Sequence, residues 1–231
     1  MDKTLLELLR SVDTPTVCNA IEVAQGMRGF DAFTRGTMLC SSAEGAPIVG
    51  YARTAKISAK APPSEPPETI RARRMAYYSY MADAVLPAVC VIEDIDYPDC
   101  VGAYWGELNT TVHKGFGLSG ALTNGVMRDL GDLPDGFPVV AGSVGPSHAF
   151  VHITDIDCPV DVFGLRVLPG NLVHADRHGA VVIPDDVAHV LGSAIRTTQA
   201  NERIVLDAAA REGFDFAAFE QAWREFERRR T

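Results

Sequence analysis

The stretch that decides the fold is DCVGAYWGELNTTVHKGFGLSGALTNGVMRDLGD, residues 99–132. Its pattern of glycines and apolar residues predicts a loop, a short helix that begins near Gly106, and a buried strand over residues 120–123. A turn at Asn124-Gly125 follows and leads to Arg128 and Asp129. Ligand sites in α/β proteins tend to lie just beyond buried strands, so the functional site is predicted here.

Strand and helix signals continue on both sides of this stretch. Apolar runs of strand length occur at residues 45–58, 88–92, 138–141, 160–163, 172–175 and 180–183. The run at 88–92 is typical of a strand buried on both faces. Two short amphipathic helices open the chain, and another helix is predicted over residues 68–84, with Met75, Tyr78 and Met81 facing inward. The fold is therefore predicted to be α/β with a central sheet.

The C-terminal part of the chain is predicted to be helical. From Asp185 onward, apolar residues recur at helical spacing and end in an aromatic stripe formed by Phe214, Phe216, Phe219, Trp223 and Phe226. We expect residues 1–185 to form one domain, which contains the predicted functional site. Residues 186–231 are expected to form a helical extension that packs on the same domain or on a neighbouring subunit.

Composition limits the classes of function. With 231 residues, 47% of them hydrophobic, the chain can bury the core of one domain. Its formal charge of -9 argues against nonspecific binding to nucleic acid or to an anionic membrane. Five scattered cysteines form no C-x-x-C pair, which favours a reducing compartment. There is no signal-peptide pattern and no apolar run of membrane-spanning length, so a cytoplasmic protein is expected.

One acidic residue and one Arg-Asp pair carry a resemblance to a known family. Glu107 is followed by twenty residues and then by Arg128-Asp129. With the segments at 50–54 and 173–184, this pattern resembles the RraA-like family. That family contains the class II 4-hydroxy-4-methyl-2-oxoglutarate (HMG/CHA) aldolases and the regulator of ribonuclease activity A. The resemblance covers most of residues 12–185, and the acidic residue marks the metal-dependent lyase members.

The resemblance implies a fold, an assembly and an activity. The fold would be a β/β/α swivelling-type core, similar to phosphohistidine domains, with a helical C-terminal tail. The assembly would be a homotrimer or a dimer of trimers. The activity would be cleavage of a 4-hydroxy-2-oxo dicarboxylic acid to pyruvate and a 2-oxo acid, with oxaloacetate decarboxylation as a side reaction. The alternative is a non-enzymatic regulator that binds a ribonuclease or another protein, and Glu107 favours the enzyme.

Pyruvate chemistry assigns a role to each residue of the predicted site. The reaction places negative charge on an enolate, which a divalent ion and a guanidinium stabilise. Asp129 is the predicted metal anchor and Arg128 the enolate-stabilising donor. Hard oxygen ligands indicate Mg²⁺ or Mn²⁺. Glu107, at a helix N-terminus, is assigned to a metal-bound water or to the surroundings of the metal. Backbone N–H groups at Gly106, Leu108 and Asn109 would hold the substrate carboxylate.

Several residues have competing interpretations. Arg128 and Asp129 could form an ordinary surface ion pair. The loop Gly145-Pro146-Ser147-His148 superficially resembles a phosphohistidine loop, but the surrounding sequence does not continue that motif, and a pocket wall or a simple turn is favoured. His113 is interpreted as a packing or surface histidine, and the acidic run at 93–96 as solvated. Of Arg71, Arg73 and Arg74, a solvated helix face is favoured over contact with a carboxylate substrate across a subunit boundary.

Overall fold

The computed structural model describes residues 1–42 and 44–230, which group into two compact units. One unit contains residues 1–14 and 31–183; the other contains residues 15–30 and the chain from 184 onward. The predicted division at residue 185 remains a prediction, and its last residue, Thr231, lies outside the described part. Nowhere in that part is there a helix with the length and apolar content needed to cross a membrane.

The larger unit is built on a mixed sheet. In the described chain this sheet has eight strands in the order β1-β7-β5-β3-β2-β12-β13, with β9 also paired to β2. The strands are β1 (Leu39–Cys40), β2 (Ile48–Ser58), β3 (Ala88–Asp94), β5 (Ala121–Thr123), β7 (Val139–Ala141), β9 (His152–Ile156), β12 (Leu172–Asp176) and β13 (Gly179–Ile183). Strands β2, β3, β5 and β7 are parallel neighbours, whereas β12 and β13 form an antiparallel hairpin. The predicted α/β class is confirmed.

A second, smaller sheet positions the candidate site. It contains β4 (Ala103–Trp105), β6 (Val126–Met127) and β8 (Ser143–Val144), paired in parallel in that order. Each of these short strands comes shortly after a parallel strand of the main sheet: β4 after β3, β6 after β5, and β8 after β7. The chain therefore passes from the main sheet to the smaller sheet three times in the same direction.

Both faces of the main sheet are buried. Along β3, Ala88, Cys90 and Ile92 contribute to one apolar cluster, whereas Val89 and Val91 contribute to the other. This alternation follows the two-residue period of a strand and confirms the prediction for residues 88–92. The first cluster also contains Trp105 and Phe137, and the second is completed by the hairpin of β10 (Val160–Val162) and β11 (Leu165–Val167).

The helices follow the predicted pattern with one correction. They are α1 (Lys3–Leu9), α2 (Thr14–Gln25), α3 (Pro67–Ala82), α4 (Glu107–Gly115), α5 (Leu191–Ala209) and α6 (Phe216–Arg230). On α3, Met75 is 58% exposed while Tyr77 and Met81 are fully buried, so the predicted inward face was wrong at Met75. Tyr77 and Met81 are four residues apart and therefore lie on the same face of α3, which is the buried face. The helical C-terminal region is confirmed.

Candidate active site

The predicted site residues directly follow the ends of two paired parallel strands, β4 and β6. Trp105, the last residue of β4, is in register with Met127, the last residue of β6. Gly106 and α4 follow the first of these strands, and Arg128 follows the second. The Arg128 N–H donates to the Trp105 carbonyl at 2.8 Å, which continues the ladder by one step. The carboxyl ends of parallel strands form one edge, and this edge brings the predicted residues together.

Gly106 allows Asp129 to contact the start of α4. The backbone N–H of Glu107 donates to Asp129 Oδ2 at 3.1 Å. A Cβ on residue 106 would lie 2.5 Å from the same oxygen and 3.0 Å from Arg128 Nε, so only glycine fits without displacement. Asp129 adopts a left-handed backbone with φ 56°, a conformation that Asp tolerates better than most residues. Asp129, which follows the end of β6, therefore accepts a hydrogen bond from a backbone N–H that has no acceptor within α4.

Arg128 and Asp129 lie side by side, as the sequence predicted. Arg128 Nη1 is 3.6 Å from Asp129 Oδ1, and about a third of each side chain is exposed. Arg128 Nε is buried and has no hydrogen-bond partner among the described residues. A partly exposed ion pair at this distance contributes little to stability, and Nε remains an unpaired donor. The arrangement suits a guanidinium that binds a ligand.

A cleft of about 420 Å³ lies beside this corner. Of the predicted residues, Gly106, Leu108, Asn109 and Arg128 line the cleft, whereas Glu107 and Asp129 are not among the lining residues. The other walls of the cleft come from α3, from the loop after β8, which supplies His148, and from the first two residues of β9, His152 and Ile153. A cleft of this size accommodates a small organic acid. The suggestion that Ser147-His148 forms a pocket wall is thus correct for His148.

The first turn of α4 keeps two backbone donors available. In the described chain, no acceptor is recorded for the N–H of Leu108 or of Asn109, while Thr110 N donates to the Gly106 carbonyl. The N–H of Glu107 is not available to a ligand, because it donates to Asp129. Free N–H groups at a helix start carry partial positive charge and bind anions. Both residues line the cleft, so these donors are placed for a carboxylate.

The side chains of Asn109 and His113 hold α4 in place through hydrogen bonds to neighbouring protein groups. The Asn109 amide donates to the Tyr104 carbonyl at 2.6 Å and accepts from the Tyr78 hydroxyl at 2.6 Å. His113 is fully buried, with Nδ1 2.6 Å from the Asn109 carbonyl and Nε2 2.7 Å from the Tyr77 hydroxyl. Nδ1 must donate to that carbonyl, so Nε2 accepts. Burial lowers the pKa of His113 to about 4, and the packing interpretation of this residue is confirmed.

Two histidines of the cleft have a similar constraint. His148 Nδ1 lies 2.7 Å from the Ala149 carbonyl, and His152 Nδ1 lies 2.8 Å from the Phe150 carbonyl. A carbonyl oxygen only accepts, so Nδ1 carries the hydrogen in each ring and Nε2 is left as an acceptor when the ring is neutral. No sequence motif indicated His152, which is the first residue of β9.

Asp129 fits a metal that keeps most of its waters. No group of three or more His, Cys, Asp or Glu side chains within the described residues has the geometry of a metal site. Mg²⁺ commonly binds through one or two carboxylates and retains several waters, so it needs no such group. Asp129 has one oxygen on the Glu107 N–H and the other toward Arg128, and its side chain remains 30% exposed. Its lone pairs are therefore accessible to a hydrated ion.

The acidic run at 93–96 is structural, and its predicted solvation was wrong. Asp94 is fully buried, and burial raises the pKa of its carboxyl group. Asp96 accepts from the backbone N–H of Ala59 at 2.6 Å and of Lys60 at 3.0 Å. Glu93 forms an ion pair with Lys56 at 3.2 Å. These carboxylates hold the end of β3 and the segment after β2 in place.

The chain is similar to known proteins in sequence and in fold. Residues 14–182 match the family model described as RraA-like: Aldolase/RraA. Protein DlpA of Legionella pneumophila is 27% identical over 146 residues, which cover 59% of this chain and 23% of that protein. The chain thus spans only about a quarter of the length of this curated relative.

Two solved structures show the same fold. An uncharacterized protein from Pseudomonas syringae pv. tomato aligns with a TM-score of 0.70 at 20% identity, covering 97% of this chain and 94% of that one. RraAS2 of Streptomyces coelicolor, described as an unusual member of the RNase ES inhibitor RraA protein family, aligns with a TM-score of 0.65 at 25% identity, covering 87% and 96%. The match to the family model spans well over half of the sequence, so this chain belongs to the RraA-like (aldolase/RraA) family.

Proposed function

We propose that this protein is a divalent-metal-dependent carbon–carbon lyase. Its substrate would be a 4-hydroxy-2-oxo dicarboxylic acid, cleaved to pyruvate and a 2-oxo acid, and oxaloacetate would be decarboxylated as a side reaction. The observation that carries the proposal is the corner at the carboxyl ends of β4 and β6. There a guanidinium with a free Nε and a carboxylate lie together beside the first turn of a helix.

Each residue of this corner has a task in such a reaction. The free N–H groups of Leu108 and Asn109 would bind the carboxylate next to the keto group. Arg128 would donate to the keto oxygen, where negative charge collects as the carbon–carbon bond breaks. Gly106 has no Cβ atom, so Arg128 and Asp129 can lie against the start of the helix. This placement concentrates fixed positive charge at the atom that becomes negative.

The family includes Mg²⁺-dependent aldolases, and the donor set here suits that ion. Asp129 would hold Mg²⁺ or Mn²⁺, which when bound supplies Lewis-acid stabilisation of the enolate. Glu107 is exposed at the first position of α4, and its backbone N–H donates to the Asp129 carboxylate. It would orient water near the ion. The proposed assembly remains a homotrimer or a dimer of trimers.

Pyruvate release tests the proposal. The purified protein is incubated with oxaloacetate and with a panel of 4-hydroxy-2-oxo acids, and pyruvate is measured by NADH oxidation with lactate dehydrogenase. We expect release with added Mg²⁺, loss of release with EDTA, and recovery when Mg²⁺ is restored in excess. If no substrate of the panel gives metal-dependent release, the lyase proposal is wrong, and ribonuclease inhibition becomes the next activity to measure.

A matched pair of variants controls this assay. Asp129→Asn removes the proposed metal anchor, whereas Asp132→Asn makes the same charge change at an exposed residue three positions away. We expect the first variant to lose release and the second to keep it. Equal release by both variants would show that Asp129 does not hold the metal.

A further inference from the structure

The cleft is positively charged although the chain as a whole is acidic. Its lining includes two guanidinium groups, Arg74 and Arg128, together with the imidazoles of His148 and His152. Of the described residues that line it, none is Asp or Glu, whereas the chain carries a formal charge of -9. A cleft that excludes carboxylates from its own wall in such a chain favours an anionic ligand, and two arginines favour more than one negative group.

Arg74 reaches the cleft from a different element than Arg128. Residues Ile70, Arg74 and Tyr78 of α3 all line the cleft, and their spacing of four places them on one helical face. Arg74 is therefore the central residue of the stripe that α3 presents to this space. Arg128 reaches the same space from the end of β6. The two guanidinium groups thus contribute positive charge from two separate walls.

Arg74 has no carboxylate partner in the described chain. Its neighbour Arg73 forms an ion pair with Glu65 and donates to the Ile153 carbonyl at 3.2 Å, whereas no ion pair or hydrogen bond is recorded for Arg74. An arginine that lies on a cleft wall with all its donors available can bind a carboxylate in a bidentate manner.

The positive charge of Arg74 affects the pKa values of two tyrosines that line the cleft. Burial raises the pKa of Tyr78, and the nearby Arg74 guanidinium opposes this change. Burial likewise raises the pKa of Tyr104, and the positive charge of Arg74 again lowers this pKa in part. Tyr104 is buried, and it lines the cleft together with Tyr78. The positive charge of Arg74 therefore lies close to two hydroxyl-bearing residues that line the cleft.

We propose that Arg74 binds the second carboxylate of a dianionic substrate and sets the preference for dicarboxylic over monocarboxylic 2-oxo acids. The inference rests on the proposed lyase function, in which Arg128 and the α4 N-terminus bind the 2-oxo acid end. Arg74 then recognises the end that leaves in the second product. It is a specificity residue, because it contacts the part of the substrate that remains chemically unchanged in an aldol cleavage.

Kinetics with two substrates that differ in one group test this role. 4-Hydroxy-2-oxoglutarate carries a second carboxylate on C4, and 4-hydroxy-2-oxopentanoate carries a methyl group there. For Arg74→Gln we expect KM for the dicarboxylate to rise about tenfold or more, while KM for the monocarboxylate changes less than twofold and kcat is retained. Arg74→Lys should restore part of the preference. Arg71→Gln, at an exposed residue of the same helix that does not line the cleft, should change neither KM.

The result that overturns the inference is a KM for the dicarboxylate in Arg74→Gln within twofold of wild type. A parallel rise in both KM values also overturns it, because a structural role would affect both substrates alike.

Equilibrium binding separates this inference from the lyase proposal. Isothermal titration calorimetry in Mg²⁺ buffer compares 2-oxoglutarate, a dianion that is not an aldol substrate, with the monoanion 2-oxobutyrate. If wild type releases no pyruvate yet prefers the dianion, and Arg74→Gln loses that preference, the lyase proposal fails and the role of Arg74 stands. Absence of dianion binding to wild type, or an unchanged preference in the variant, overturns the role of Arg74 whatever the turnover.

Discussion

Substitution of Gly106 by alanine should remove activity without unfolding the protein. The backbone at this position is extended, with φ -148° and ψ -176°, which alanine adopts without strain. The added Cβ would lie 2.5 Å from Asp129 Oδ2, whereas ordinary contact begins at 3.4 Å. The carboxylate must therefore move by about 0.9 Å, the difference between these distances. A displacement of about 1 Å in a positioned group can cost roughly a hundredfold in rate.

The expected change in stability is much smaller. Alanine restricts the unfolded chain and stabilises by roughly 0.4–1 kcal/mol at a compatible backbone position. Loss of the hydrogen bond from the Glu107 N–H to Asp129 costs about 1 kcal/mol, as for a helix cap. The two effects nearly cancel, so the free energy of unfolding should change by about 1 kcal/mol or less. The displaced atom is the end of a side chain, which can move while the backbone keeps its place.

Steady-state pyruvate release and thermal unfolding are measured on Gly106→Ala and on Gly115→Ala. Gly115 ends the same helix, and a Cβ there would meet nothing within 4 Å, so it controls for the loss of glycine itself. We expect kcat/KM to fall about a hundredfold in the first variant only. If Gly106→Ala retains half of the wild-type kcat/KM, close approach of Asp129 to the helix start is not required for catalysis. A joint loss in both variants would contradict the reasoning as well.

Three further predictions follow from the same geometry. Arg128→Lys should lower kcat on the order of a hundredfold with a small change in KM, since a point charge does not reproduce the planar fork; an unchanged rate would make Arg128 structural. Asp129→Asn should abolish metal-dependent turnover but preserve the thermal transition, because Asn tolerates the left-handed backbone; turnover equal to wild type excludes a metal role. Burial lowers the pKa of His113 from 6.5 to about 4, so below pH 6.5 the unfolded chain binds a proton that the folded protein does not. Stability should therefore fall by up to about 3 kcal/mol as the pH decreases from 7 to 4, and His113→Gln should show a shallower decrease in denaturant titrations; the same slope in both proteins would assign the effect to other groups.

Local patterns in the sequence were sufficient for the elements around the site. The two-residue alternation of β3, the start of α4 after Gly106 and the strand before Asn124 each have a periodic or turn signal within a few residues. The short strands β4, β6 and β8 have no such signal, because two or three residues are too few to define a period. Their pairing is set by partners about twenty residues apart, such as Trp105 and Met127. The sequence therefore predicted which residues form the corner but not the sheet that aligns them.

The cleft was harder to predict than the corner. Arg74 has the same exposed helical context as Arg71, and only the position of α3 beside the loop after β8 distinguishes them. For the same reason the inward face of α3 was assigned to Met75 rather than Tyr77. Both residues fit a helical apolar stripe, and the buried partner His113, 36 positions away, selects Tyr77. Cleft walls depend on such distant contacts, so composition and periodicity do not identify them.

In the structure, the polar side chains of α4 form hydrogen bonds within the protein. By sequence, the run from Asn109 to His113 is mostly polar. The side chains of Asn109, Thr110 and His113 direct hydrogen bonds to protein groups: the Tyr104 carbonyl, the Gly106 carbonyl at 2.9 Å and the Asn109 carbonyl. These bonds fix the helix start against the buried tyrosines and leave the backbone N–H groups as its contribution to ligand binding. Selectivity among 2-oxo acids must then come from the other walls: from α3 with Arg74, from the loop after β8 with His148, and from the start of β9 with His152.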